Sequence, residues 1–178
     1  MQVRELTGSD AAQYTALRLR MLRDYAEAFT SSYEEDSVKP LSWVQQRISP
    51  GKDAPHDFVL GAFADDGALI GSVGLSVEAR NKQRHKGLLF GMYVAPERMS
   101  RGIGRALLDA CLDRARRIPA LEQINLTVTA TNVRAVQLYE AAGFRTIGVE
   151  ARALKIDGAY YPKAHMVLYL EQTAERGD

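Results

Sequence analysis

One segment limits the fold of this chain more than any other: an apolar strand that leads through a short loop into a helix beginning at two glycines. Residues 87–95 are apolar almost throughout, which predicts a central strand buried on both faces of a sheet. Residues 102–118 repeat their apolar side chains on one helical face. A buried strand followed by an amphipathic helix is typical of an α/β layer structure.

The rest of the chain alternates between strand and helix patterns. Residues 30–40 are polar and are predicted to form a loop. Hairpins come first and a β-helix-β crossover follows, which predicts an α/β fold with a mixed sheet and helices on both faces. We expect one domain over 1–178, with strands at 2–6, 57–64, 68–79, 87–95, 122–130, 144–153 and 161–170, and helices at 12–28, 41–48, 102–118 and 132–142.

Composition narrows the class of protein. Hydrophobic residues make up 46% of the 178 residues, enough for a core without disulfides. The single cysteine, Cys111, lies on the core face of its helix, and no metal site is predicted. A net charge of +1 without a long basic run disfavours nucleic acid and an anionic membrane as partners. The chain shows no signal-peptide pattern and no apolar run of about 18 residues, so we expect a cytoplasmic protein.

The turn Arg101-Gly102-Ile103-Gly104 has the chemistry of an anion site. The first amides of a helix have no intrahelical acceptor, and the helix dipole adds partial positive charge there. Glycines let a ligand approach the backbone closely, so the turn suits a diphosphate, with positive charge from Arg98, Arg101 and Arg105. A plain glycine-rich turn between strand and helix stays open as the alternative.

Two other nucleotide motifs fit this turn poorly. A dinucleotide-binding fold needs a third glycine, but Leu107 stands in its place. It also needs an acid at the end of the next strand, whereas Glu122 lies at the start of one. A P-loop is excluded because no Gly-Lys-Ser/Thr follows.

A second informative segment covers residues 131–144. Asn132 and Tyr139 are two helical turns apart and project from nearly the same face. Ala135 lies between them and keeps that face open. Taken alone, Tyr139 is more typical of a packed core tyrosine than of a catalytic one.

The pattern N-x-x-A-x-x-L-Y-x-x-x-G-F is matched in full over 132–144, and its spacing from the glycine turn fits as well. Over 57–170 the chain resembles the GNAT superfamily of N-acetyltransferases. The family signature R/Q-x-x-G-x-G/A falls on 99–104, where both glycines match, but Met99 replaces the usual Arg or Gln and Ser100 stands where Gly is frequent. The resemblance implies a largely antiparallel sheet whose parallel strands 88–94 and 122–130 splay apart.

The resemblance also implies a binding mode for acetyl-CoA. The pantetheine arm would lie in the splay, along the backbone of Met92, Tyr93 and Val94, and Asn132 would orient it. A bulge at Gly91 would aim an amide at the thioester carbonyl. Backbone amides would bind the diphosphate at Met99, Ser100, Arg101, Gly102, Ile103, Gly104 and Arg105.

The implied reaction is direct attack of a neutral amine on acetyl-CoA. Tyr139 matches the family tyrosine that protonates the departing thiolate. A base should help the amine lose its proton. Glu34 and Glu35 are the favoured candidates, because their loop is expected to border the acceptor and attract a cationic amine. Further candidates for this base are His85, Glu78 and Glu150.

Three functions stay open from the sequence. The first is acetylation of a small-molecule amine, and the second is acetylation of a protein N-terminus or lysine. The third is a non-catalytic acyl-CoA sensor, against which the presence of both Asn132 and Tyr139 argues. Many relatives form a homodimer, but the sequence does not fix the oligomeric state.

Overall fold

A computed structural model of the chain describes residues 1–99 and 101–170. Its described residues form one seven-stranded sheet in the order β1-β2-β3-β4-β5-β7-β6. Only β4 and β5 run parallel, and every other neighbouring pair is antiparallel. The predicted mixed, largely antiparallel sheet is confirmed. Its strands are β1 (Gln2–Glu5), β2 (Phe58–Phe63), β3 (Leu69–Val77), β4 (Lys86–Val94), β5 (Gln123–Thr129), β6 (Arg145–Ile156) and β7 (Ala159–Tyr169).

Five α-helices accompany the sheet in the described part of the chain: α1 (Ala11–Asp24), α2 (Tyr33–Ser37), α3 (Leu41–Ile48), α4 (Ile103–Ala115) and α5 (Val133–Ala141). The helix predicted to reach residue 28 ends at Asp24, because Tyr25 leaves helical geometry and a 3₁₀ turn follows at Ala26–Ala28. None of these helices is long and apolar enough to cross a bilayer.

The loop predicted over 30–40 contains α2, so that prediction was wrong. Ser32 and Glu35 explain the helix through a reciprocal capping box. The backbone N–H of Glu35 donates to Ser32 Oγ at 3.2 Å, and the backbone N–H of Ser32 donates to the Glu35 carboxylate at 2.9 Å. The first turn of α2 is acidic, which also complements the helix dipole.

Apolar clusters cover both faces of the sheet, as predicted. On one face Leu107, Leu108 and Cys111 of α4 cluster with buried residues of β2 to β5 and β7. On the other face the helices α1 and α3 pack over the first three strands and the end of β4. Cys111 is fully buried, and burial raises the pKa of its thiol to about 12, in line with a packing role.

Strand β4 differs from its prediction because it is not buried on both faces. Leu88 is 44% exposed, and Phe90 and Met92 are only partly buried. The reason is that α1 and α3 cover the first three strands but only the end of β4 on that face. In addition, β4 pairs with β5 only over Lys86–Leu88, against Gln123–Asn125. Beyond Leu88 the two strands separate, and the sheet opens along their facing edges.

A β-bulge at Gly91 confirms the predicted irregularity in β4. Ser72 of β3 faces Tyr93, whereas Gly74 faces Phe90, so β4 carries one extra residue between these pairs. Gly91 has φ of +61°, a conformation that favours glycine. The bulge inverts the alternation of side chains, so that Met92 lies on the α4 side of the sheet and Tyr93 on the α1 side.

The last hairpin is longer than predicted. Strand β6 runs to Ile156 and β7 begins at Ala159, so the hairpin turn falls on Asp157 and Gly158 as expected. Both turn residues have positive φ, as a tight two-residue hairpin requires. Strand β6 forms the edge of the sheet, and most of its residues are exposed.

Packing of α4 on the sheet predicts that two Leu→Ala substitutions differ in their effect on stability. Leu108→Ala removes a fully buried side chain and should lower the free energy of unfolding by about 2–5 kcal/mol through lost burial and a residual cavity. Leu41→Ala is the matched control. Because Leu41 is 48% exposed, this substitution should change the free energy of unfolding by no more than about 0.5 kcal/mol. Urea denaturation measures both, and equal losses would contradict the described packing.

Candidate functional site

Two connected cavities lie where β4 and β5 separate. The first has a volume of about 460 Å³ and the second about 270 Å³. Most of the residues predicted to bind a cofactor line the first cavity, namely Met92, Tyr93, Val94, Met99, Gly102, Ile103, Gly104, Arg105 and Asn132. Both cavities share the residues at their junction, which are Ala28, Phe29, Met92, Asn132 and Ala135.

The N-terminus of α4 forms one wall of the first cavity. Gly102 precedes the helix with φ of +75°, and a Cβ built on it would meet no atom within 4 Å. At Gly104 a Cβ would have its nearest contacts, Leu138 and Met92, at 3.6 Å. The backbone of this helix start is therefore open to the cavity, and its unpaired amides suit an anionic group.

The basic residues around this turn differ in whether they can contact an anionic group in the first cavity. Arg105 is paired, because its Nε donates to both carboxylate oxygens of Asp109 at 2.8 Å. Arg101 is exposed and does not line the cavity, and the prediction for Ser100 falls outside the described residues. Arg98 lines the first cavity and adds positive charge beside the turn.

Arg134 is a cavity residue that the sequence analysis missed. It lines the first cavity, and its Nη1 approaches the Met99 sulfur at 3.9 Å. It follows Asn132 by two positions, at a place where the motif accepts any residue, so the pattern gave no signal for it. Arg134 brings a guanidinium to the side of the cavity where Met99 replaces the usual Arg or Gln.

Tyr139 and Asn132 both line the second cavity, as their spacing predicted. Tyr139 is only 6% exposed, and its ring packs edge-on against Phe144 at 5.7 Å between centroids. Burial raises the pKa of the Tyr139 hydroxyl well above its usual value, so the group stays protonated at neutral pH. Asn132 caps α5, and its Oδ1 accepts from the backbone N–H of Ala135 at 3.1 Å.

The residues considered as the general base line neither of the two cavities. Glu34 and Glu35 are exposed on α2 and line neither cavity, and the Glu35 carboxylate is held in the capping box. His85 and Glu78 also lie outside both cavities, and Glu150 pairs with His165 at 3.4 Å. Among the described residues, no Asp or Glu lines either cavity.

Lys163 is a second residue that the sequence analysis missed. It is 4% exposed on β7, and its Nζ donates to the carbonyl oxygens of Glu27 at 3.1 Å and Ala28 at 2.8 Å, and to Thr129 Oγ1 at 3.0 Å. Burial lowers the pKa of this lysine. These bonds tie the turn after α1 to the sheet and hold Ala28 at the junction of the cavities.

Comparison with known proteins places this geometry in a family. A family described as the acetyltransferase (GNAT) domain matches residues 3–166, so the chain belongs to the GNAT acetyltransferases. A solved structure of a putative acetyltransferase from Salmonella typhimurium with its cofactor acetyl-CoA superposes with a TM-score of 0.78 at 21% identity, over 98% of this chain and 96% of that one. This likeness supports the fold.

Two curated relatives are similar in sequence. A mycothiol acetyltransferase from Beutenbergia cavernae is 31% identical over 155 residues, which are 85% of this chain and 47% of the relative. A spermidine N(1)-acetyltransferase from Vibrio cholerae is 28% identical over 123 residues, covering 69% of this chain and 71% of the relative. The chain thus spans about half the length of the first of these relatives.

The anchoring role of Lys163 leads to a prediction. Lys163→Met removes the donor to the Ala28 carbonyl and to Thr129 Oγ1, whereas the Glu27 carbonyl keeps its hydrogen bond from Thr129 Oγ1, and the loss should destabilise the protein by about 1–3 kcal/mol. Hydrogen exchange should accelerate at residues 26–29, which the lysine holds. Lys155→Met, an exposed substitution on β6, should change neither measurement. Unchanged exchange at 26–29 in Lys163→Met would contradict the anchoring role.

Proposed function

We propose that this protein transfers the acetyl group of acetyl-CoA to a primary amine of a small molecule, by direct attack in a ternary complex. The observation that carries the proposal is the meeting of two cavities at the Gly91 bulge, one reaching the open helix start of α4 and the other containing Tyr139. The names of the two relatives described above agree with acetyl transfer to small molecules, since one is a mycothiol acetyltransferase and the other a spermidine N(1)-acetyltransferase.

Acetyl-CoA would occupy the first cavity. Its diphosphate would accept hydrogen bonds from the amides at the start of α4, with Arg98 and Arg134 nearby. The pantetheine arm would run along Met92 and Val94, on the edge of β4 that β5 leaves open. Among the described residues the NH₂ group of Asn132 has no acceptor, since the capping bond uses only its carbonyl oxygen, so this group is available to the arm.

The chemistry follows from the junction of the cavities. The amine nitrogen attacks the thioester carbon, and an amide at the bulge stabilises the oxyanion as charge develops. The C–S bond then breaks, and the hydroxyl of Tyr139 donates its proton to the departing thiolate. The attacking nitrogen loses its proton to water in the second cavity, and Tyr139 regains a proton from solvent.

The size of the second cavity favours a small acceptor. Its volume of about 270 Å³ lies just below the range usual for drug-sized ligands. Incubation with acetyl-CoA and a panel of amines and peptides, with detection of free thiol, tests the proposal. Acetylation of small amines is expected. Transfer to peptides alone would contradict the small acceptor, and tight acetyl-CoA binding without turnover on any compound would indicate a sensor.

The role of Tyr139 predicts a selective kinetic defect. Tyr139→Phe removes the proton donor while keeping the ring in place, so kcat should fall at least about tenfold. Affinity for acetyl-CoA, measured by calorimetry, should stay within about twofold. Tyr169→Phe at an exposed tyrosine is the control and should match the wild type. Equal loss of turnover and affinity in Tyr139→Phe would make Tyr139 a structural residue.

The placement of the diphosphate at the start of α4 predicts that a side chain added there blocks CoA binding. Gly102→Val places a branched side chain in open space beside the proposed diphosphate and strains a residue with positive φ, so the CoA dissociation constant should rise at least about tenfold. Gly67→Val is a matched control, because Gly67 has φ of +81° and equally open surroundings in a hairpin turn. A folded Gly102→Val protein that binds CoA normally would refute this placement of the diphosphate.

A further inference from the structure

Arg47 of α3 lines the second cavity but not the first. It also lines a third cavity of about 440 Å³, so it lies where the two join. Its guanidinium carbon is 4.7 Å from the centroid of the Phe90 ring and 5.5 Å from that of Trp43. The Nε atom is buried, and in the described part of the chain it has no hydrogen-bond partner. A buried guanidinium nitrogen without an acceptor is costly unless a ligand supplies one.

The other cations of the second cavity are already bonded within the protein. Arg18 is buried, forms an ion pair with Asp36 and donates to Ser31 Oγ at 3.1 Å. Lys163 donates to two carbonyls and to the hydroxyl of Thr129. Within the described residues, Arg47 is therefore the cation of this cavity that forms no hydrogen bond or ion pair.

The acid that lines the third cavity together with Arg47, Asp57, forms no ion pair with Arg47 in the described structure. One carboxylate oxygen of Asp57 accepts from Ser76 Oγ at 2.7 Å, and the other accepts from the backbone N–H of Val77 at 2.8 Å. Both oxygens of Asp57 are thus engaged on β3, and in the described structure Asp57 supplies no acceptor to Arg47.

We infer that the acceptor is an amino acid, and that Arg47 binds its carboxylate. This inference rests on the proposed acetyl transfer. The planar guanidinium fork matches the two oxygens of a carboxylate, and Phe90 and Trp43 hold the fork beside their rings. Cations around the cavity and the absence of Asp or Glu from its described lining disfavour a polyamine, whose amines would be repelled.

The position of Phe90 on β4 relates the carboxylate site at Arg47 to the place where the amine would react. Phe90, beside the guanidinium, is followed directly by Gly91 of the bulge. Because Arg47, Phe90 and Gly91 all line the second cavity, an amino acid held at Arg47 would place its amine in the cavity that contains the bulge. The amino acid side chain would extend into the third cavity, whose lining is largely apolar and includes Trp43, Phe58 and Leu75.

Pairs of acceptors that differ only by a carboxylate test this inference. Phenylalanine and 2-phenylethylamine form one pair, and methionine and 3-(methylthio)propylamine form another. The amino acid of each pair should be acetylated with kcat/KM at least about tenfold higher, because an arginine–carboxylate contact is a strong charge-assisted interaction. Equal or faster acetylation of the carboxylate-free amines, or of spermidine, would overturn the inference.

Substitution of Arg47 tests the residue itself. In Arg47→Met the ratio of kcat/KM between the members of each pair should fall to near one, and Arg47→Lys should keep part of the preference through its charge. Arg152→Met is the matched control, because that guanidinium also lies 4.7 Å from an aromatic centroid, the ring of Tyr160, and lines neither cavity of the site. A preference that survives in folded Arg47→Met would overturn the assignment.

A binding measurement separates this inference from the proposed function. Phenylalanine is titrated into the protein saturated with CoA, and its affinity should fall at least about tenfold in Arg47→Met. If no amine is acetylated but phenylalanine binds in an Arg47-dependent way, the carboxylate site stands and the proposed transfer fails. If amines are acetylated but phenylalanine binds equally well to Arg47→Met, the transfer stands and the carboxylate site fails.

Discussion

The early separation of β4 from β5 is the constraint on which the rest of the site depends. Their parallel pairing ends at Leu88, while β4 stays paired to β3 and β5 to β7. Both strands are therefore held from their outer sides, and their facing edges are left to other partners. Backbone groups at such an edge favour a ligand that can hydrogen-bond to them. The Gly91 bulge lies beside this opening, so one backbone irregularity falls where the two cavities meet.

Positive charge is present in both cavities of the site. The first cavity combines the open amides of α4 with Arg98 and Arg134, an arrangement suited to a diphosphate. The second cavity is also cationic, although the acids Glu34 and Glu35 had been expected to attract a positively charged amine there. Since those acids are exposed on α2 and line neither cavity, the electrostatics favour an acceptor that itself carries an anion.

Local features of the fold could be predicted from the sequence, and tertiary features could not. The glycine turn at 102–104, the bulge at Gly91 and the capping Asn132 each depend on a few neighbouring residues, so their signals are present in the chain. The opening of the sheet beyond Leu88 depends on how far β5 follows β4, which no local pattern encodes. Arg47 gave no signal because its importance depends on the packing of α3 beside Phe90.

Hydrogen exchange with and without CoA tests the central claim most directly, because it reports on the backbone that is proposed to hold the cofactor. Saturating CoA should slow exchange at the amides of residues 92–94 and 102–105, on both sides of the opening. The exposed hairpin of β6 and β7 should exchange at the same rate in both states. Protection confined to that hairpin, or none at residues 102–105 under saturating CoA, would contradict a cofactor site at the separation of β4 and β5.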